Sequence, residues 1–393
     1  MPSPAPPSSL GAARLEGRLD RERGFLPSPD PLTRLPAEFA LWDEVGLELP
    51  KLLAAGRARA VLSQLPFLDP TDLPDEAVPR AMLLLSFFGH AYVYQTWRSE
   101  VATRVPAAIA RPWAAVARRL GRPPILSYAS YALDNWRRLD PNAPIVLGNL
   151  ELLQNFLGGL DEEWFVTVHV QIEAEAAPAL RSLPVAQHAA ASGAIGSLSE
   201  ALATISGALE RMNRTLNRMP ENCDPYIYYH RVRPFIHGWQ QHPVTYDGVP
   251  ELNHTPQSYY GETGAQSTIV PSLDAALGIR HRRDELRVYL AQMRTYMPRG
   301  HVAFLEQLES RPSIRDFVAK VDNSDLRPRY DACVQGVETF RSTHLDYAAR
   351  YIQKQSQVGV NSTEYGTGGT PFMRYLKKHR DETHASRDLV RGA

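Results

Sequence analysis

The chain has 393 residues, 44% apolar and 22% charged, enough for one large or two to three ordinary domains with buried cores. Lys plus Arg and Asp plus Glu each number 43, so no basic excess advertises a nucleic-acid partner. Two cysteines, Cys223 and Cys333, exclude a disulfide framework, a Cys-x-x-Cys zinc site or an iron–sulfur cluster and fit a reducing, cytoplasmic setting.

Residues 1–36 hold eight prolines and read as a poorly ordered arm docking through Gly24-Phe25-Leu26-Pro27. Its first ten residues, Met1 to Leu10, have neither the basic start nor the continuous apolar run expected of a secretory signal. Helical spacing begins at Ala37: Leu41, Trp42, Val45, Leu49 and Leu52 share a face over residues 38–60, with Pro50 as an expected break. Residues 79–97 predict a helix apolar on most of its surface, hence central. Its most apolar stretch, residues 81–94, is 14 residues and too short to span a bilayer. Ile195, Leu198, Leu202, Ile205, Leu209, Met212, Leu216 and Met219 alternate three- and four-residue steps, a long helix packed on a core and stopped by Pro220. Strand-like alternation is scarce and no Gly-rich phosphate loop follows a strand. The fold class expected is all-α.

Two segments interrupt the helices. Residues 241–267 form a long connection of the kind that often carries function. Gly366-Thr367-Gly368-Gly369-Thr370 reads either as a flexible surface loop or as a lid over a ligand. Neither a His-Glu-x-x-His zinc motif nor a Gly-x-Ser-x-Gly elbow occurs.

His344 is distinguished by its address. A helix over about 327–355 places Tyr330, Cys333, Val334, Val337, Phe340, Tyr347, Ala348 and Tyr351 on one face, with His344 in register. Two readings stand: a hydrogen-bonded core histidine, or an axial haem ligand on a rigid, water-poor wall. Arg341, one turn earlier, lies where a haem propionate could be met. Arg233 sits among Tyr228, Tyr229 and Phe235, either clamping a carboxylate beside an aromatic wall or stacking on tyrosines at the surface.

A series of short motifs in order resembles the indoleamine 2,3-dioxygenase family of haem enzymes, which open the pyrrole ring of tryptophan. They are Pro123-Pro124-Ile125-Leu126-Ser127-Tyr128-Ala129, Asn135-Trp136 with Asp140-Pro141-Asn142, Gly238-Trp239 after Arg233, and Gly264-Ala265-Gln266-Ser267. Then follow Asp274 with Leu277-Gly278-Ile279, Met293-Arg294 with Tyr296-Met297-Pro298, Tyr330-Asp331-Ala332-Cys333-Val334, Arg341-Ser342-Thr343-His344-Leu345 and the 366–370 loop. The coverage runs from about Gly24 to Tyr375.

The resemblance implies a Pro-rich arm (1–36), a small helical domain (37–120), a large helical haem domain (121–377) and a C-terminal tail (378–393). It implies haem b with His344 as the proximal iron ligand, and Arg341 and Asp274 on its propionate side. Tyr128, Tyr131 and Ala132 match the distal indole pocket; Trp164, Phe165 and Thr167 match its second wall. Tyr228 matches an aromatic packed on the substrate and Arg233 the carboxylate-binding arginine. Thr263 and Gly264 match the distal backbone turn, and Thr367 a closing loop that meets the ammonium side.

Two departures stand out: Tyr131 replaces a cysteine and Tyr228 a phenylalanine of the mammalian pocket. No matched position carries a distal histidine, so no protein base is expected beyond the iron. The implied reaction is cleavage of the indole C2–C3 bond of L-tryptophan or a related indoleamine by O2, giving N-formylkynurenine. It would be run by a soluble monomer with an unidentified reductant and neither nucleic acid nor membrane as partner. Oxygenation of another indole in secondary metabolism and a non-catalytic haem or gas sensor are the alternatives. Arg233 and the 366–370 loop weigh against the sensor.

Overall fold

The computed structural model describes residues 15–95, 100–282, 285–358 and 372–387. Helices follow one another as α1 (Ala40–Ala54), α2 (Ala58–Leu62), α3 (Val78–Tyr94), α4 (Ala107–Leu120), α5 (Leu160–Ser192) and α6 (Ile195–Leu216). After a long irregular stretch come α7 (Ile269–Leu277), α8 (Glu285–Met293), α9 (Arg299–Glu309), α10 (Ile314–Val318), α11 (Leu326–Tyr351) and α12 (Phe372–Ala385). Strand structure among the described residues is confined to two-residue pairs, Arg104–Val105 parallel to Thr245–Tyr246 and Arg137–Arg138 antiparallel to Leu150–Glu151. The fold is all-α, as expected. No helix among the described residues is long and apolar enough to cross a membrane.

Two buried clusters divide the interior. One gathers α1 to α4 with residues 125–136 and 235–249; α3 is its centre, buried along nearly every face. The other gathers the later turns of α5 with α6, α7 and α11. The stripe on α6 packs as predicted from Leu198 to Leu216, each side chain contributing roughly 1.5–3 kcal/mol on burial. Ile195, at the first helical position, instead stays exposed. The arm docks through Phe25 and Leu26, both buried. Residue 97, placed in the central helix by its apolar run, lies outside the described residues.

Pro50 does not break its helix; α1 runs through it. Proline lacks the N–H that would bond the carbonyl four residues back, which here is Gly46. Gln154 supplies the missing donor, its Nε2 lying 2.9 Å from Gly46 O. Glycine at 46 leaves room for that amide: a Cβ would stand 2.6 Å from Gln154 Oε1, so the side chain would have to shift.

α5 opens with Asp161, Glu162 and Glu163, whose charges suit a helix N-terminus, and closes on left-handed Gly193. It borders both clusters: Phe165 packs against each, Val166 belongs to the first and Val168 to the second. The predicted pocket residues collect along this seam.

Candidate active site

Two five-residue π-turns form walls of the site. Ala129–Leu133 carries Tyr131 and Ala132, and Tyr228–Val232 begins with Tyr228. Such turns bulge one extra residue out of a helix and are frequent at functional sites. Tyr128, just before the first, is held at both ends: its N–H donates to Gln266 Oε1 (2.8 Å) and its hydroxyl to Glu173 Oε1 (2.9 Å). Gln266 in turn donates to Gly261 O, tying this wall to the Thr263–Gly264 turn. The turn is shaped by close approach: at Gly238 and Gly261 a Cβ would fall within 2.3 Å of the other's backbone nitrogen. Thr263 caps the turn through Ala265 N, and Gly264 faces open space where a side chain would sit.

Tyr131 is buried and stacked on Phe87 (centroids 5.9 Å apart), with its hydroxyl 3.5 Å from Glu162 Oε1. Burial pushes Glu162 up to about 7, although the Phe156 and Leu157 amides favour its charged form. Glu262 is likewise pushed by burial to about 8, and it lies close enough to Tyr128, Tyr131 and Tyr228 to raise their phenols. Ala132 is buried beside Tyr131.

The second wall keeps one of its three predicted members with the others. Phe165 packs 4.8 Å from Tyr228 and 6.5 Å from Tyr131, centroid to centroid. Trp164 turns toward the end of α6, its indole N–H on Arg218 O at 2.9 Å. Thr167 is buried, and its hydroxyl bonds back to Glu163 O within its own helix. In their place α5 presents His169, four residues after Phe165 and 4.8 Å from its ring. His169 is near enough to His344 to lower its pKa, a neighbour that the matched positions did not include.

His344 projects from α11. Burial pushes its imidazole down to about 4, with His169 near enough to add to the effect. Yet its side chain keeps accessible surface, and it makes no hydrogen bond among the described residues. The side chain is exposed, so the surrounding protein crowds the ring without covering it. The hydrogen-bonded core reading does not describe it. At pH 7 it is neutral, the form that ligates a metal.

One turn earlier Arg341 forks onto Asp274 of α7, Nη1–Oδ1 3.1 Å and Nη2–Oδ2 2.5 Å, and also donates to Thr383. Burial would raise Asp274, but the Arg341 charge and His281 outweigh it and hold the carboxyl at about 2. His281 bridges Asp274 (3.0 Å) and Glu382 (2.7 Å) and stacks on His379. His281, His379 and Glu382 lie within reach of one ion, but both His281 nitrogens are already held by carboxylates.

Arg233 follows the second π-turn and is fully buried, its guanidinium carbon 5.4 Å from the Tyr229 ring centroid and its charge felt by Tyr228. That burial removes the surface-stacking reading. Thr367 and the 366–370 loop lie outside the described residues. A separate cavity of about 220 Å³ between residues 17–28 and Arg122, Pro298 and His301 holds none of the predicted residues.

The donor set fits haem. A neutral, exposed imidazole without a hydrogen bond among the described residues is open to a ligand, and a buried guanidinium stands one turn away on the same helix. Sequence reasoning missed His169, Glu162, Glu173 and Glu262. The i, i+4 step from Phe165 was a usable signal for the first; nothing local marks the buried acids.

The family model for indoleamine 2,3-dioxygenase matches residues 16–386. The chain is 34% identical over 386 residues to indoleamine 2,3-dioxygenase 1 of Rattus norvegicus, covering 94% of each chain. It is 32% identical to indoleamine 2,3-dioxygenase of Saccharomyces cerevisiae, over 93% of this chain and 92% of the relative. It is also 30% identical to 6-hydroxytryptophan 2,3-dioxygenase of Fusarium equiseti, over 91% and 94%. A match that begins in the docked arm and ends in α12, with relatives of like length on either side, makes this chain a member of the indoleamine 2,3-dioxygenase family.

Proposed function

We propose that the haem b of this dioxygenase is held by His344, and that its reaction is cleavage of the indole C2–C3 bond of L-tryptophan or a related indoleamine with O2. When bound, haem supplies the oxygen and redox chemistry; the chain supplies position and exclusion of water. Neutral His344 is the ligand, and the Arg341–Asp274 pair borders the propionate side. Arg233 receives the substrate carboxylate through its planar fork, in a site dry enough to strengthen the pair. Phe165 and Tyr228 flank the indole, Tyr128 and Ala132 complete the distal wall, and the Thr263–Gly264 turn leaves room beside it. Thr367 is assigned to the ammonium side. The domain limits 37–120 and 121–377, the monomeric state, the cytoplasmic location and an external reductant belong to this proposal.

The observation that carries the reading is His344: an exposed imidazole held neutral by the protein around it, with no hydrogen bond among the described residues, on the helix that also carries Arg341. The test is the absorption spectrum of purified protein, reduced under argon and then mixed with tryptophan and O2. A Soret band followed by formylated-aniline absorbance is expected; a haem spectrum without product returns the sensor alternative. A second reading, a ring-hydroxylated tryptophan as substrate, is favoured by the Tyr131 hydroxyl beside Glu162. Comparing kcat/KM for tryptophan and its 5- and 6-hydroxy forms separates the two.

A further inference from the structure

We propose that the cavity between the docked arm and the core around α3 is a binding site for a small aromatic carboxylate, with Arg122 and His301 as its polar end. It is separate from the substrate site, and none of the residues assigned there lines it.

The cavity holds about 220 Å³, below the roughly 300–1,000 Å³ of a drug-sized ligand site, so its occupant is small. The arm is a fixed wall. Gly17, in the left-handed region at φ +63°, runs so close to residues 298–300 that a Cβ on it would stand 2.5 Å from Pro298 Cβ. A Cβ on Gly300 would stand 2.6 Å from Gly17 O. Further along, Arg23 holds Asp30, which also takes Arg138 and so fastens the arm to the body. Leu133, on the opposite wall, ends the π-turn that carries Tyr131 and Ala132, which puts the cavity directly behind the distal wall.

The polar end is unlike other charged positions of the interior. Arg80 and Arg341 are buried with a carboxylate oxygen at 2.9 and 2.5 Å. Arg122 is as deep, 6% exposed, yet among the described residues its side chain reaches only Ser127 Oγ at 3.5 Å and Asp134 Oδ2 at 3.9 Å. A guanidinium with five N–H donors, taken out of water, calls for closer acceptors than these. His301 lines the same cavity, 2% exposed, its ring 4.2 Å from that of Phe25 and without a side-chain hydrogen bond among the described residues. Burial, with Arg122 nearby, keeps this imidazole neutral, so it offers one N–H and no second charge. A planar fork beside a single ring donor suits a carboxylate. Asp20 and Asp134 line the cavity too, and like-charge repulsion restricts the occupant to one such group. Phe25, Leu120 and Leu133 supply the apolar remainder, which suits a ring.

The test is equilibrium dialysis of radiolabelled benzoate against the purified, haem-loaded protein, with the Soret band recorded at each point. Unlabelled benzamide, which keeps the shape without the charge, and phosphate, which keeps charge without the ring, are the competitors. Wild type and Arg233→Leu are both expected to hold one benzoate per chain with the Soret band unmoved, each competitor being at least tenfold weaker. Arg122→Leu should weaken benzoate about tenfold or more. His301→Phe, which keeps a ring on Phe25 and loses the donor, should weaken it a few-fold. Arg122→Lys keeps the charge without the fork and should lose part, and it decides the matter if Arg122→Leu loads haem poorly. A wild type that retains no benzoate overturns the proposal. Binding that survives both Arg122 variants but is lost in Arg233→Leu, or that shifts the Soret band, places benzoate in the substrate site and overturns it as well. Phosphate competing as well as benzoate makes the cavity an inorganic-anion site and overturns the aromatic assignment.

Discussion

His90 and His344 are both held neutral by the protein around them, and their surroundings differ completely. In the core around α3, His90 is satisfied on both nitrogens: Nδ1 lies 2.6 Å from Phe235 O, and Nε2 accepts from Leu126 N at 3.1 Å. Burial drives its pKa to about 3, and Trp239 packs 4.6 Å from its ring. It stitches residues 125–128 to the segment after the second π-turn and so holds two walls of the site together. The region around His344 offers no such partners among the described residues. His90 is fully buried and His344 exposed, and the fate of the nitrogens separates a structural imidazole from one open to a ligand.

The sharpest way to break that contrast is to delete each ring. His344→Ala is expected to purify nearly haem-free with its helical content retained. His90→Ala is expected to keep one haem per folded molecule and to lose about 2–5 kcal/mol of stability, since two buried main-chain groups lose their partner. Pyridine haemochrome stoichiometry and thermal melts read both; equal haem loss in the two variants would erase the distinction.

Beside the site tyrosines lie buried acids whose charge is suppressed. Glu262 has its folded pKa raised to about 8, against an ordinary value of 4.5. Its contribution to stability is therefore fully present below pH 4.5 and is lost as pH rises toward 8, because only the unfolded chain releases that proton over this interval. Glu262→Gln should remove the loss, on the order of 3–4 kcal/mol between pH ~5 and ~8. Urea titrations of both proteins at the two pH values check it, and parallel pH profiles would show that the carboxyl ionises freely.

Arg233→Leu sharpens the site side of the comparison. A forked carboxylate contact in a partly dry site is worth roughly 1.5–3 kcal/mol. kcat/KM for L-tryptophan should therefore fall at least tenfold, while indole and 3-methylindole scarcely change. Arg233→Lys should recover only part, keeping the charge without the fork. An equal fall for all three substrates would make Arg233 structural. The smallest effect is expected at Tyr131→Cys: unchanged haem content and a few-fold change in affinity across 5- and 6-substituted tryptophans, from one altered contact in the pocket. Identical constants across the series would place the phenol outside the ring's reach.

What could be read in the chain followed from regular spacing. The α6 stripe depends on 3.6-residue periodicity, and Arg341 is one turn from His344 in any helix; on α11, however, the buried face runs through Val337, Arg341, Leu345 and Ala348, leaving His344 exposed where it was expected in register. What could not be read depends on distant partners. Pro50 looked like a break because the compensating donor, Gln154, is 108 residues from the Gly46 carbonyl it serves. The π-turns at Ala129–Leu133 and Tyr228–Val232 have no local pattern that separates them from ordinary helix. His169 sits where helix spacing and aromatic neighbours make it look like wall. Only the fold shows its Nδ1 held by the Phe165 carbonyl. Glu162 and Glu262 look like surface acids until burial sets their protonation.

The most direct test of the central claim is turnover of L-tryptophan under ¹⁸O₂ with the reduced, haem-loaded protein, the product analysed by mass spectrometry and His344→Ala run alongside. The expected product is ring-opened and carries two heavy oxygens, both from the gas, with none formed by the haem-free variant. A product with one heavy oxygen, or no uptake by a fully loaded wild type, would contradict it.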